Sequence, residues 1–347
     1  MNCLPHHEEK NSGPCCGNLG RERYVWQTEV RTMIAPVIEP TPNDVESLAL
    51  GIPPGGCRDW LAGIVMLTRW KEHILFVTVT TLLGVRFADQ TVDSRLLLVW
   101  AANLLAVTFA FMVNDIEDAP DDALNPAKRA RNPIAAGSLL PSQGYVASFL
   151  TAMAAALLYS FLNITVFRLG IACLVLGILY SWRPLRLKAI PLADIVSHSL
   201  LLAGLQLLCA YFTFASRGDI AQWLPPFVFV TAISAYGQLF NEVRDLDFDR
   251  KARLKHTASV LGPRIAQLLM ICALAGAGAA VVYAVLFELI PWWVLLLTTF
   301  LGVVLLAQVM FRIRRHETPA GSNLHNPILG IGVLSIAVWI TVEHFAR

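Results

Sequence analysis

The sequence predicts an all-α polytopic membrane protein, a bundle of about nine transmembrane helices. Two observations carry this expectation. Of the 347 residues, 56% are hydrophobic and only 15% are charged, against about a quarter charged in an ordinary soluble domain. The hydrophobic residues also fall in blocks, most of which reach the roughly 17–25 residues needed to cross a hydrocarbon core. A soluble chain has nowhere to bury so many unbroken apolar runs.

The expected spans cover residues 73–88, 95–113, 143–161, 164–181, 190–214, 223–240, 264–287, 291–311 and 327–345. Residues 1–62 are rich in Pro, Gly, Asn and charge and are expected to form a largely disordered cytoplasmic tail, with residues 63–347 as the membrane domain. Residues 1–30 contain no apolar stretch of the signal-peptide kind. Cys3, His6, His7, Cys15 and Cys16 have no zinc-site spacing and are read as part of a reduced tail.

Orientation follows from Lys and Arg near the span ends. The connections after spans two, four, six and eight hold Lys128, Arg129, Arg131, Arg183, Arg186, Lys188, Arg244, Arg250, Lys251, Arg253, Lys255, Arg264, Arg312, Arg314 and Arg315. The alternate connections hold little beyond Arg86, Arg95, Arg168 and Arg217. The basic loops and the N-terminus are therefore expected in the cytoplasm. A net charge of +2 points to no nucleic-acid partner. Asn163-Ile164-Thr165 has the form of a glycosylation sequon but abuts two spans, and is read as chance.

Two acidic stripes stand out. Span two runs into Asn114-Asp115-Ile116-Glu117-Asp118-Ala119-Pro120-Asp121-Asp122, and span six into Asn241-Glu242-Val243-Arg244-Asp245-Leu246-Asp247-Phe248-Asp249. Each gives Asn, Asp at +4 and Asp at +8. On a helix, steps of four return to nearly one face, drifting by about 40° per step, so the three side chains follow one stripe about 12 Å long. Pro120 is expected to loosen the first helix near its end and leave Asp122 on a turn.

Clustered carboxylates near a bilayer need cations. Oxygen ligands of this kind suit Mg²⁺, which takes one or two protein carboxylates and completes its shell with water and substrate phosphate. Two stripes on one membrane side, facing each other, would grip a diphosphate. The neighbouring acids Asp115, Glu117, Asp121, Glu242 and Asp247 are read as surface charge. Direct cations for the diphosphate are sought in Arg129, Arg131 and, best placed at the start of a span, Lys188. Asp194 and His198 fall within span five and are expected to face the bundle.

With these residues in view, the chain resembles the UbiA superfamily of intramembrane prenyltransferases over about residues 65–345. Asn114-Asp115-x-x-Asp118-x-x-x-Asp122 is similar to that family's first motif, Arg131-Asn132-Pro133-Ile134-Ala135-Ala136-Gly137 to its Arg-Pro-Ile-x-x-Gly segment with Asn132 inserted, and Tyr180-Ser181 through Lys188 to its Tyr-Ser-x-Pro…Lys segment. The second motif keeps Asp245 and Asp249 but has Arg253 where Gly is usual.

The resemblance implies a Mg²⁺-dependent enzyme that ionises a polyprenyl diphosphate and passes the prenyl group to an acceptor, aromatic or quinone-type by preference. By the same resemblance Asp118 and Asp122 would hold one metal ion, and Asp245 and Asp249 the other. Asn114, Asn241 and Tyr180 would orient ligands or substrate, while Lys188, Arg129, Arg131 and Arg69 would neutralise pyrophosphate. Two other readings compete: a membrane-embedded cyclase acting on the same diphosphate without an acceptor, and a cation transporter, which would need acids buried near mid-span.

Overall fold

The computed structural model describes residues 56–251, 254–314 and 325–346, and the regular structure among them is entirely helical. The first described helix begins at Gly56; the tail's cysteines and histidines lie outside the described residues. Short α1 (Gly56–Thr68) and α2 (Trp70–Arg86) lead into long α3 (Arg95–Asp122). The single-turn α4 (Pro126–Arg131) connects to α5 (Pro141–Ser160) and α6 (Ile164–Ser181). After a loop come α7 (Ala193–Ser199), a π turn (Leu200–Gly204) and α8 (Leu205–Phe214), which run on as one rod. Long α9 (Ile220–Lys251), short α10 (Thr257–Leu261), α11 (Pro263–Leu286), α12 (Trp292–Arg314) and α13 (His325–Ala346) complete the described chain.

Seven of these helices are long and apolar enough to cross a membrane: α3, α6, the α7–α8 rod, α9, α11, α12 and α13. The spans expected at 73–88 and 143–161 are helices too, but α2 has only 17 residues and α5 opens on the polar turn Pro141-Ser142-Gln143-Gly144. The all-helical, many-span expectation holds, and among the described residues length and hydropathy alone identify seven of the expected nine or so.

Long α3 packs against α2, α5, α6 and α8, and long α9 packs against α7 and α11. Without a hydrophobic drive between helices in lipid, small residues and buried polar contacts decide such packing. Gly84 is an example: a Cβ there would lie 2.3 Å from the Leu207 carbonyl oxygen and 2.8 Å from Ala210 Cβ, so only glycine lets α2 and α8 approach this closely. In the same layer the fully buried Asn103 donates from Nδ2 to Thr81 Oγ1 (2.9 Å) and the Gln206 carbonyl (2.9 Å), and accepts from Tyr159 Oη (2.8 Å). One amide thereby joins α2, α3, α5 and α8.

Two local details differ from or refine the sequence reading. Helix α3 does not loosen at Pro120; it runs through to Asp122, and Ala123 N–H bonds back to the Ala119 carbonyl at 3.0 Å. Tertiary packing around the buried Ile116 and Ala119 outweighs the one hydrogen bond that proline removes. At the sequon, Asn163 caps α6 by accepting from Val166 N–H (3.0 Å) and donates to the Phe212 carbonyl (2.8 Å), so its amide is engaged in structure.

Candidate active site

Both acidic stripes lie at the C-terminal ends of their helices, on α3 and α9, not at mid-span. They meet across a cleft of about 180 Å³ lined by Asn114, Asp118, Lys128, Tyr180, Arg186, Lys188, Gln238, Asn241, Glu242, Asp245, Asp249, Leu254 and His256. Seven of the residues singled out from sequence are thus brought together: Asn114, Asp118, Tyr180, Lys188, Asn241, Asp245 and Asp249.

The loop between α6 and α7 supplies the cations on the α3 side. It turns through two left-handed residues, Arg186 (φ 43°) and Leu192 (φ 67°), and Leu192 N–H is fixed to Thr257 Oγ1 at 2.7 Å. This shape presents Lys188 Nζ to Asp118 Oδ2 (2.6 Å) and Asn114 Oδ1 (2.8 Å). Arg186 forks between Asp118 (2.8 Å) and Asp121 (2.6 Å). Burial pulls the Lys188 ammonium below the ordinary lysine range, with Asp118 opposing the shift. Burial also works against Arg186, but Asp118 and Asp121 more than compensate and raise its pKa.

On the α9 side the partners come from elsewhere. Asp249 Oδ1 meets Lys128 Nζ of α4 at 3.3 Å, and Asp249 Oδ2 lies 3.2 Å from His256 Nε2. Helix α4 is started by Asn125, whose side chain accepts from Ala127 N–H and Lys128 N–H. Among the described residues Asp245 pairs with its neighbour Arg244, at 2.9 Å. Burial would raise the Asp249 pKa, but His256 and Lys128 hold it below the ordinary carboxylate range. For His256 the opposing burial is overcome by the Asp249 and Glu242 carboxylates beside the ring, and its pKa is raised to about 9.

Several expected site residues stand apart from the cleft. Asp122 is buried and accepts at Oδ2 from Asn132 Nδ2 at 2.9 Å; Asn132 Nδ2 also donates to the Asp115 carbonyl at 2.7 Å. Eight residues along a helix leave about 80° of rotation between Asn114 and Asp122, enough for Asn132 to draw the last aspartate off the cleft wall. Arg69 is spent on Asp115 (2.9 Å) and Glu72 (2.6 Å). Arg131 is about half exposed, 3.8 Å from Glu72, and Arg129 is exposed.

Of the acids read as surface charge, Asp115 and Glu242 are revised. Asp115 and Glu242 are buried, Glu117 accepts from Tyr145 Oη (2.9 Å), and Asp121 is paired with Arg186; the side chain of Asp247 lies outside the described residues. Lys128, Arg186, Gln238, Glu242 and His256 line the cleft without having been singled out. Arg186 and Glu242 sit inside motifs that the sequence does display; Lys128 and His256 carry no spacing signal.

Behind the second stripe, Asp194, Glu242 and His256 place one ligand-type atom each within 4.8 Å of one another. Hydrogen bonds already fill this cluster. Asp194 accepts from Thr257 N–H (2.5 Å) and Oγ1 (2.6 Å), and Glu242 Oε2 from Ala258 N–H (3.1 Å). Asp194 does face the bundle, tying α7 to α10, and His198 Nδ1 lies 3.3 Å from Ser234 Oγ.

The donor set facing the cleft is chiefly carboxylates and amide oxygens, beside the His256 imidazole and with no thiolate among the described lining residues, and its oxygens are of the type that magnesium prefers. Asp118, Asp245 and Asp249 would hold such an ion, and the cations now on Asp118 and Asp249 show how much negative charge is available to it.

Comparisons with known proteins agree in fold. The structure of a UbiA homologue from Archaeoglobus fulgidus bound to GPP and Mg²⁺ superposes with a TM-score of 0.58 at 19% identity, covering 80% of this chain and 97% of that one. The apo structure of a UbiA homologue from Aeropyrum pernix K1 gives 0.63 at 18% identity, covering 79% and 98%. A structure of digeranylgeranylglyceryl phosphate synthase gives 0.57 at 14% identity, covering 80% and 98%. No curated protein matches the sequence. The model of the UbiA prenyltransferase family matches residues 77–328, a stretch that contains both acidic stripes and the loop of Lys188, and the chain belongs to that family of integral membrane proteins.

Proposed function

We propose that the protein uses the cleft between α3 and α9 to ionise a polyprenyl diphosphate with Mg²⁺ and to transfer the prenyl group to a separate acceptor, aromatic or quinone-type by preference. The observation that carries this reading is the meeting of Asp118, Asp245 and Asp249 with Lys188, Arg186 and Lys128 around one cleft. The binding of GPP and Mg²⁺ by the Archaeoglobus homologue supports it. Acids gathered at helix ends, not mid-span, speak against a cation carrier.

In this reading the diphosphate enters between the stripes. Asp118, Asp245 and Asp249 would hold the metal, with Asp122 supporting the first stripe from behind through Asn132. Asn114 and Asn241 orient the ligands, and Tyr180 borders the allylic carbon. Bound Mg²⁺ would supply charge for the developing pyrophosphate. Lys188 and Arg186 turn from the acids toward phosphate oxygens as the allylic C–O bond breaks and pyrophosphate departs with the electron pair. The apolar bundle keeps water from the allylic cation, an acceptor atom bonds to it, and the acceptor releases a proton. Arg129, Arg131 and Arg69 stay outside this sequence of contacts and serve as anchors of the basic face. By the placement of basic loops, that face is cytoplasmic.

The test is incubation of purified protein with Mg²⁺ and geranylgeranyl diphosphate, with and without a panel of aromatic, glycerol phosphate and sugar phosphate acceptors. Pyrophosphate release coupled to a prenylated acceptor is expected. A cyclic hydrocarbon or alcohol formed without acceptor would replace transfer by cyclisation, and absence of Mg²⁺-dependent pyrophosphate release would overturn both.

A further inference from the structure

The second stripe ends where a helix offers least support. Asp249 is two residues from the C-terminus of α9, where the last turn frays and the negative end of the helix dipole repels a carboxylate. Its partners must therefore come from outside the helix. One of them, His256, follows the stripe on the short connection to α10 and lies 94% buried, with 6% of its side chain exposed.

The imidazole reaches two acids at once. Nδ1 is hydrogen-bonded to Glu242 Oε2 at 3.1 Å, and Nε2 faces Asp249 Oδ2 at 3.2 Å as a charge contact without hydrogen-bond geometry. Glu242 and Asp249 are seven residues apart, two helical turns on one face, so the ring closes a bridge along the stripe. Its own position is set by its neighbours. Thr257 is fastened to Asp194 through both N–H and Oγ1, and Ala258 N–H is fastened to Glu242. A ring held this way is a strut, not a mobile side chain. It occupies one oxygen of Asp249 and leaves the other, Oδ1, toward Lys128 and the cleft.

We propose that His256 is a positioning residue of this cleft: by tying Glu242 to Asp249 it aims Asp249 Oδ1 at the metal and diphosphate. The inference rests on the reading of Asp249 as a metal-holding residue, and it adds a residue that no spacing in the acidic motif reveals. Groups that contact a ligand from behind orient it, and their loss weakens metal binding without removing the ligand.

The test uses the full chain in detergent without substrate, with Mn²⁺ binding followed by electron paramagnetic resonance. His256→Ala is expected to weaken Mn²⁺ binding about tenfold. His256→Gln, whose amide still reaches Asp249, is expected to recover most of the affinity, while His256→Asn, which keeps a donor only toward Glu242, is not. In turnover, the Mg²⁺ concentration for half-maximal rate should rise with the same ranking, while kcat at saturating Mg²⁺ changes little. The Gln and Asn pair remains informative if the Ala variant fails to fold. Equal Mn²⁺ affinity in wild type and all folded variants, with only Tm lowered, would make His256 a cap of α10 and overturn the proposal. Wild-type protein that binds no Mn²⁺ would overturn the metal-holding reading itself, and this inference with it.

Discussion

The two acidic stripes share one spacing and are held in different ways. On α3, Asp118 is clamped by Lys188 and Arg186 from a loop fixed by left-handed turns, while Asp115 and Asp122 are drawn behind the cleft to Arg69 and Asn132. On α9, among the described residues, Asp245 pairs with its exposed neighbour Arg244, and Asp249 with Lys128 and His256. The first stripe therefore puts one aspartate on the cleft under strong restraint, and the second puts two there under weaker restraint. Equal spacing along a helix sets the angle between side chains. It does not set what stands opposite each one.

The largest expected effect separates two acids of the first stripe. Asp118→Ala should lower Mg²⁺-dependent pyrophosphate release by about 10²–10³-fold, the scale of losing one preorganised electrostatic contact to the reacting charge. Asp122→Ala, by acting from behind, should lower it by about tenfold. Equal losses would break the distinction between a cleft residue and a supporting one.

Next comes the amide that makes this distinction. Asn132→Leu leaves the Asp115 carbonyl and the Asp122 carboxylate without their donor, at a cost of about 1–3 kcal/mol, which should appear as a lower Tm in detergent. An unchanged Tm would mean that Asp122 is free to swing back to the cleft.

A smaller effect belongs to the second stripe alone. His256 has its pKa raised from 6.5 to about 9, so the stability from its protonated contacts is fully present below about 6.5 and is lost as pH rises through about 9. The Tm of EDTA-treated wild type should fall across that window, and the fall should flatten in His256→Gln. A fall of the same size in His256→Gln would assign the pH effect to other groups.

The smallest change is expected at Arg131, about half exposed and 3.8 Å from Glu72. A surface pair of this kind contributes about 0–1 kcal/mol, so Arg131→Ala should leave pyrophosphate release within about twofold and Tm nearly unchanged. A loss comparable to Asp118→Ala would return Arg131 to the diphosphate.

Much of this was legible in sequence because two periodic signals are strong: apolar blocks of spanning length, and Asn and Asp recurring every four residues at the ends of α3 and α9. Lys188 could be found because its loop has a recognisable pattern. Lys128 and His256 could not, since each reaches Asp249 from a short connection with no period of its own, across 121 residues in the case of Lys128. Glu242 and Asp115 were misjudged for a related reason. Acids beside a motif look like solvated charge until the helix packed against them is known.

By itself, then, the sequence determined the membrane class, the two helices that carry the acids and the side of the bundle on which they gather, because hydropathy and helical period act within one segment. Only the tertiary structure decided that Asp118, Asp245 and Asp249 face the cleft while Asp122 faces Asn132, and that Arg186, Lys128 and His256 are their partners. The inward direction of a helix is set by its neighbours, and those neighbours are brought together by packing and by loop conformations that no local pattern encodes.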